Sequence, residues 1–367
     1  MDPLIASSDP PGLAAFAEAH PDVVLFDVSN PEAVQQYLVA NHLLTAAEGP
    51  IRVTRAGAGN MNVTLRVASS GRSVILKQGR PWVARYPQIA APWNRTAVEG
   101  RFYKTAGSVA DVAAGLPRLL HVDEHCQVLV LEDLGEARDY TPVYATGEID
   151  PVDVMALLDW LEALSQVRAA VSDTPVLVNR AMRDLNHHHI FAWPLRQGNG
   201  LDLDAMTDGL GRLAFDLQEH AAFGAAVRAL GLRYLDDGPH LVHGDYFPGS
   251  WIAGGVQAGA HDDPRVRIID PEFCFLGARE FDYGVTIGHL ALARCHRTHA
   301  YIVLDSTAAA GLDRRLVLGF AGVEIMRRLI GVAQLPVAYG LDVKTRLLAL
   351  SEQLVLGGER SLDLWQE

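Results

Sequence analysis

Two short apolar runs that end in acid constrain this chain more than anything else in it. The first is Leu241-Val-His-Gly-Asp-Tyr-Phe-Pro-Gly-Ser-Trp-Ile252, and the second is Val266-Arg-Ile-Ile-Asp-Pro-Glu-Phe273. Apolar runs of this length read as buried strands. A carboxylate at the tip of such a strand is held rigidly and points into a cleft. The first run offers Asp245, behind His243 and Gly244. The second offers Asp270 and Glu272, which face the same side of an extended backbone. One isolated carboxylate plus a spaced acidic pair suits phosphoryl transfer. In that chemistry Asp245 accepts a hydroxyl proton, while Asp270 and Glu272 hold the Mg2+ that neutralises nucleotide phosphates. Taken singly, each run reads equally well as an ordinary turn.

The chain has 367 residues, enough for two or three domains and a substantial core. Its formal net charge of -13 argues against a nucleic-acid binder, which needs a basic face. Cys126, Cys274 and Cys295 are too sparse and widely spaced for a disulfide framework or a zinc site. They read as core residues of a reducing compartment. The N-terminal stretch lacks the basic start and apolar run of a signal peptide. Glu324, Arg327 and Arg328 interrupt the most apolar long stretch, Leu316 to Leu341, so it is not a membrane span. The expected location is cytoplasmic.

In chain order, Asn30 followed by Pro31 reads as a helix start, with Val34, Tyr37 and Leu38 on one face. The period then changes. Val63, Leu65 and Val67 alternate with polar or small residues, as in a half-buried strand. Between a first strand, Ile51-Arg-Val-Thr54, and this second one lies Ala56-Gly-Ala-Gly-Asn-Met-Asn62, a glycine-containing hairpin loop. Gly57, Gly59 and Asn60 could let backbone amides approach a phosphate, or could simply turn the chain. The third strand, Ser73 to Gln78, carries Lys77, which either reaches a phosphate or snorkels to water from a sheet edge. Arg80 to Arg95, rich in proline and aromatics, reads as a structured loop without regular elements. Thr96 to Ala106 is a predicted helix whose Glu99 either pairs with Lys77 or faces solvent. Two more strands, Leu116 to His121 and Gln127 to Leu134, complete a five-stranded antiparallel sheet. An extended segment at Glu132 and Leu134 could offer backbone groups to a purine ring.

Beyond Gly135 the chain is mostly helical, with one predicted helix from Val154 to Val171 and another from Leu213 to Leu230. His187, His188 and His189 are not a metal site, because consecutive histidines do not share a helix face. Asp282 either caps the helix that follows or braces His243 and its loop. Arg327 and Arg328, set among apolar residues, are costly to bury without partners. Glu324 accounts for one of them and leaves the other for an anion.

The order glycine loop, strand lysine, helix glutamate, His-Gly-Asp and Asp-Pro-Glu resembles the aminoglycoside phosphotransferase and choline kinase group, within it the methylthioribose kinases. The residues carrying the likeness are Gly57 to Asn62, Val74 to Gln78, His243 to Asp245 with Gly249 and Ser250, Asp270 to Phe273, Phe281 to Gly284 and Met326 to Gly331. The resemblance implies an α+β, bilobal protein-kinase-like fold. Residues 1–134 would form a nucleotide-binding lobe with an antiparallel sheet and one main helix. Residues 135–367 would form a larger, mostly helical catalytic lobe. It implies an ATP- and Mg2+-dependent kinase that phosphorylates a sugar hydroxyl, most simply that of 5-methylthioribose, and it allows a homodimer. Asp245 would be the catalytic base, Asp270 and Glu272 the metal ligands, Lys77 the phosphate contact and Glu99 its partner. Gly57, Gly59, Asn60, Glu132, Leu134 and Ser250 would border the nucleotide. Arg327 and Arg328 would contact substrate and the transferring phosphoryl group. The chain departs from the group's usual Leu-His-Thr after His-Gly-Asp by having Tyr246, Phe247 and Pro248, with Trp251 after the serine. The aromatic three are expected beside the acceptor, which puts the identity of that acceptor in question.

Overall fold

The computed structural model describes residues 12–57, 59, 61–254, 264–335, 337–357, 362 and 365. The chain forms two compact units. The first comprises Met1–Tyr103 and Pro117–Gly135, the second Lys104–Leu116 and Glu136–Glu367.

Period-two alternation builds the first unit. Strands β1 (Arg52–Arg55), β2 (Val63–Ala68) and β3 (Ser73–Gln78) are followed by the short β4 (Trp82–Val83) and β5 (Tyr86–Ala90), then β6 (Leu119–Asp123) and β7 (Val128–Glu132). Five of them make an antiparallel sheet, as expected from the sequence, and its order is β1-β2-β3-β7-β6. Val63, Leu65, Val67, Val74, Leu76, Val128 and Val130 turn one face into a core. Val34 and Leu38 of the helix Pro31–Ala40 pack on it together with Phe26. A helix of 10 residues is marginal alone in water, so this burial is what stabilises it. Asn30 does not cap the helix through its side chain. Its Oδ1 accepts from the Asp27 amide at 2.7 Å and its Nδ2 donates to the Leu25 carbonyl at 2.9 Å, which fixes the preceding turn instead.

The other face carries Lys77 and Leu129, cross-strand neighbours on β3 and β7. The helix Arg95–Ala106 approaches this face closely at Gly100, where an added Cβ would lie 2.8 Å from Val122 Cγ2. The stretch Arg80 to Arg95 departs from its reading as an irregular loop, because β4 and β5 pair antiparallel within it. Buried Arg95 organises it. Its Nε donates to Asn62 Oδ1, and its terminal nitrogens reach the carbonyls of Arg80, Pro92, Met61 and Trp82. A fork of donors met this fully replaces the hydrogen bonds that a longer ladder would supply.

The second unit is mostly helical. The helix predicted from Val154 spans Pro151–Ser165, with the Asp150 side chain accepting from the Val152 amide at its start. The one predicted from Leu213 to Leu230 is two, Leu210–Glu219 and Ala221–Leu235. His220 divides them, because its Nδ1 accepts from the Phe223 amide and caps the second. The helices Glu280–Leu292 and Arg314–Ile330 meet at Gly284 and Gly288. An added Cβ would lie 2.6 Å from Phe320 Cβ at the first and 2.9 Å from Glu324 Cβ at the second. Strands β8 (His240–Val242), β9 (Trp251–Ala253), β10 (Val266–Ile268) and β11 (Phe275–Gly277) carry the acidic loops. Among the described residues no helix is long and apolar enough to cross a membrane.

Candidate active site

The two acidic loops adjoin because their strands pair crosswise. β8 pairs with β11 and β9 with β10, all antiparallel, so the loop β8–β9 lies against the loop β10–β11. Side chain and backbone lace them together. The His243 imidazole donates from Nε2 to the Ile269 carbonyl at 3.0 Å and accepts the Asp245 amide on Nδ1 at 3.3 Å. The Ile269 amide donates to the Ser250 carbonyl at 3.0 Å. Asp282 takes the bracing role, accepting the amides of His243 at 2.7 Å and Gly244 at 3.0 Å on separate oxygens. Burial pushes its carboxyl up to about 7, and those two amides pull it the other way.

Gly244 sits at the tightest point. Its φ is +87°, and an added Cβ would lie 2.1 Å from the Phe273 carbonyl oxygen. Gly244→Ala is therefore expected to destabilise the fold by more than the roughly 1–2 kcal/mol of a left-handed alanine alone, because the overlap adds to it. A melting curve indistinguishable from that of the parent would refute this account of the loop.

Asp270 and Glu272 do not lie on an extended backbone. Asp270 is left-handed, at φ 63° and ψ 50°, and Pro271–Phe273 forms a 3-10 turn. Aspartate tolerates this conformation, and proline fixes the next φ. Asn179 secures the turn's exit by donating to the Cys274 carbonyl at 2.8 Å. The donor set that remains is two carboxylates on one tight turn. Hard oxygen ligands of this number fit Mg2+, which keeps several of its own waters. Among the described residues no group of three or more His, Cys, Asp and Glu could hold a metal by itself.

Arg327 and Arg328 converge on the proposed base. Arg327 Nη2 lies 3.2 Å and Arg328 Nη2 3.1 Å from the same oxygen, Asp245 Oδ1. Sequence spacing assigned one arginine to Glu324, but Glu324 holds both. Its Oε2 is 2.5 Å from Arg327 Nε and its Oε1 is 2.8 Å from Arg328 Nε. Residues three and four along share a helix face, so one carboxylate reaches both. Burial alone would raise the Glu324 carboxyl; Arg327 and Arg328 hold it well below the usual range.

The aromatic departures separate once placed. Tyr246 is fully buried, stacked on Trp160 at 5.6 Å, with its hydroxyl donating to the Leu157 carbonyl. Trp251 is fully buried as well. These two are core residues, and the expectation that they border an acceptor gives way to their burial. Ser250 is buried too and donates to the Asp245 carbonyl at 3.0 Å, so it closes the turn. Phe247 alone of the aromatic three is at the arginines, its ring 4.9 Å from the Arg328 guanidinium carbon.

In the first unit Lys77 Nζ meets Glu99 Oε1 at 2.6 Å, with both side chains buried. The alternatives of an edge lysine and a solvated glutamate are thereby removed. Gly57 has φ +69°, and neither a Cβ there nor one at Gly59 would meet anything closer than 4.0 Å. Asn60 lies outside the described residues. The Glu132 carboxylate accepts from the Arg118 amide, and half-buried Leu134 follows Asp133. Asp133 bonds Arg66 Nη2 and Ser73 Oγ. His187 stacks between Phe191 and Tyr234.

Four residues with a part in these arrangements escaped the sequence reading: Arg95, Asn179, Tyr144 and His289. The last two join Glu324, since His289 Nε2 lies 2.8 Å from its Oε1 and the Tyr144 hydroxyl lies 2.6 Å from His289 Nδ1. The Gly284 and Gly288 pair, one turn apart and just before His289, is the signal that could have found them.

Over 370 aligned residues the chain is 24% identical to methylthioribose kinase of Geobacillus sp. (strain WCH70), with 87% of each protein covered. It is 24% identical over 329 residues to methylthioribose kinase of Exiguobacterium sibiricum, covering 77% of this chain and 80% of that one. Ethanolamine kinase of Plasmodium vivax matches its structure with a TM-score of 0.54 over 95% of each chain, at 10% identity. No protein-family model matches the chain. The chain thus has the α+β protein-kinase-like fold, and its sequence is similar to methylthioribose kinases along most of its length.

Proposed function

We propose that this protein is an ATP- and Mg2+-dependent kinase that transfers the γ-phosphoryl group to the 1-hydroxyl of 5-methylthioribose. The observation that carries this reading is the convergence of Arg327 and Arg328 on Asp245 Oδ1, in a chain similar to methylthioribose kinases. Asp245 accepts the hydroxyl proton, and the guanidinium pair meets the negative charge on the transferring group. Asp270 and Glu272 hold the Mg2+, which would neutralise phosphate charge when bound. We assign nucleotide binding to residues 1–134, with Lys77, aimed by Glu99, on the phosphates. Gly57 and Gly59 approach the phosphates, and Glu132 and Leu134 face the base. Residues 135–367 receive the acceptor and the catalytic role. The cytoplasm, where ATP is plentiful, is the proposed location.

A second reading keeps the chemistry and changes the acceptor, to another sugar, an aminoglycoside, homoserine or a choline-like molecule. Two arginines beside the base disfavour a cationic acceptor. The burial of Tyr246 and Trp251 removes much of the reason to doubt methylthioribose, because only Phe247 remains to alter the site. ADP release measured against a panel of these acceptors tests the reading. Methylthioribose-dependent release is the expected result. Turnover of choline or an aminoglycoside with none of methylthioribose would overturn it.

A further inference from the structure

Behind the two arginines runs a buried chain of hydrogen bonds that the transfer reaction does not itself call for. Glu324 is ionised, since two guanidinium groups contact it, and an ionised carboxylate only accepts. His289 Nε2 must therefore carry the proton in its 2.8 Å bond to Glu324. In a neutral imidazole that leaves His289 Nδ1 bare, and the Tyr144 hydroxyl at 2.6 Å then donates to it. The direction of every bond follows from two charge states, an ionised Glu324 and a neutral His289.

The geometry that results is specific. Each Glu324 oxygen takes one arginine Nε, and each arginine then presents an Nη2 to a single oxygen, Asp245 Oδ1. The Phe247 ring lies 4.9 Å from the Arg328 guanidinium carbon and 5.3 Å from the His289 ring, closing the space beside them. Gly288 lets the two helices approach until His289 meets Glu324. Burial pushes the His289 imidazole down to about 4, which agrees with a neutral ring.

We infer that Tyr144, His289 and Glu324 form a positioning chain that sets the orientation of Arg327 and Arg328 toward an anion at Asp245. The inference rests on the kinase reading for the identity of that anion, a phosphoryl group, but the chain itself does not. Tyr144 and His289 touch no reacting atom; they act by fixing the Glu324 carboxylate, which fixes the arginines. His289 serves as a neutral ring with one defined tautomer. Of the charged and titratable groups around it, Glu324, Arg327 and Arg328 lie on the facing helix and Tyr144 on its own segment.

The test uses the full chain without substrate and then with it. Imidazole 15N shifts at pH 7 are expected to show Nε2 protonated and Nδ1 bare. The Nε protons of Arg327 and Arg328 are expected to be protected from exchange. Tyr144→Phe keeps the packing and removes one donor. It should leave the proton on Nε2, where Glu324 holds it, but shift the Nδ1 resonance as its donor is lost, speed exchange of both Nε protons and lower kcat roughly two- to tenfold, with the nucleotide KM unchanged. Glu324→Gln should cost on the order of 10²-fold in kcat, because the arginines lose their alignment. Tyr339→Phe is the control. Among the described residues the Tyr339 hydroxyl donates only to the carbonyls of Tyr144 and Leu292, so its loss should leave the His289 tautomer and the Nε protons as they are. A cationic His289, an Nδ1-protonated ring, or Nε protons indifferent to Tyr144→Phe would overturn the inference. Expected spectra in a protein that phosphorylates none of the acceptors would instead sink the kinase reading and leave the positioning chain standing.

Discussion

Asp245→Asn is expected to lower turnover by about 10²–10⁴-fold, the usual worth of a positioned general base, while nucleotide affinity stays unchanged. Asparagine keeps an oxygen where Arg327 and Arg328 now find Asp245 Oδ1, so both guanidinium groups retain an acceptor. What the variant loses is the ability to take a proton. It also leaves the buried cluster with one anion, Glu324, against two cations, so some stability should go with the activity. Steady-state kinetics alongside calorimetric nucleotide titration separates the two effects. Turnover near that of the parent would reject Asp245 as the base.

Glu99→Leu should have the largest effect on the first unit. Lys77 and Glu99 are both buried and meet at 2.6 Å. Removing one partner of such a pair typically costs about 3–5 kcal/mol, because the remaining charge is left in a poorly polarisable interior. At roughly 2–4 °C per kcal/mol for units of this general size, the melting temperature should fall by about 6–20 °C. The double variant Lys77→Met with Glu99→Leu restores a matched apolar interior and should recover most of that loss. Nucleotide affinity should not return with it, because the lysine proposed to reach the phosphates is gone. Recovery of both properties in the double variant would show that the pair serves stability alone.

What the sequence disclosed and what it hid follow from the range of the interactions concerned. The alternation of Val63, Leu65 and Val67 is a local pattern, and the five-stranded sheet follows from it. The acid-tipped runs were legible for the same reason, since β8 and β10 are short apolar strands with polar ends. The backbone at Asp270 was not. An aspartate before proline is expected to be extended, yet it is left-handed here, held in a turn that also meets Gly244. Tyr246 and Trp251 were misplaced because proximity in sequence to the His243-Gly-Asp245 loop says nothing of which way a side chain turns. Trp160, which stacks on Tyr246, is far away in the chain. His289 and Tyr144 are 145 residues apart and carry no motif; only the close crossing of two helices brings the first of them against Glu324.

The double hold of Glu324 on both arginines has a bearing on how the protein lets go. Two bare guanidinium groups would grip a phosphate ester hard and slow its departure. With a permanent resident anion already drawing on each of them, part of their pull is spent before any ligand arrives. Such tempering favours a site that steadies a fleeting charge over one that retains a finished ester.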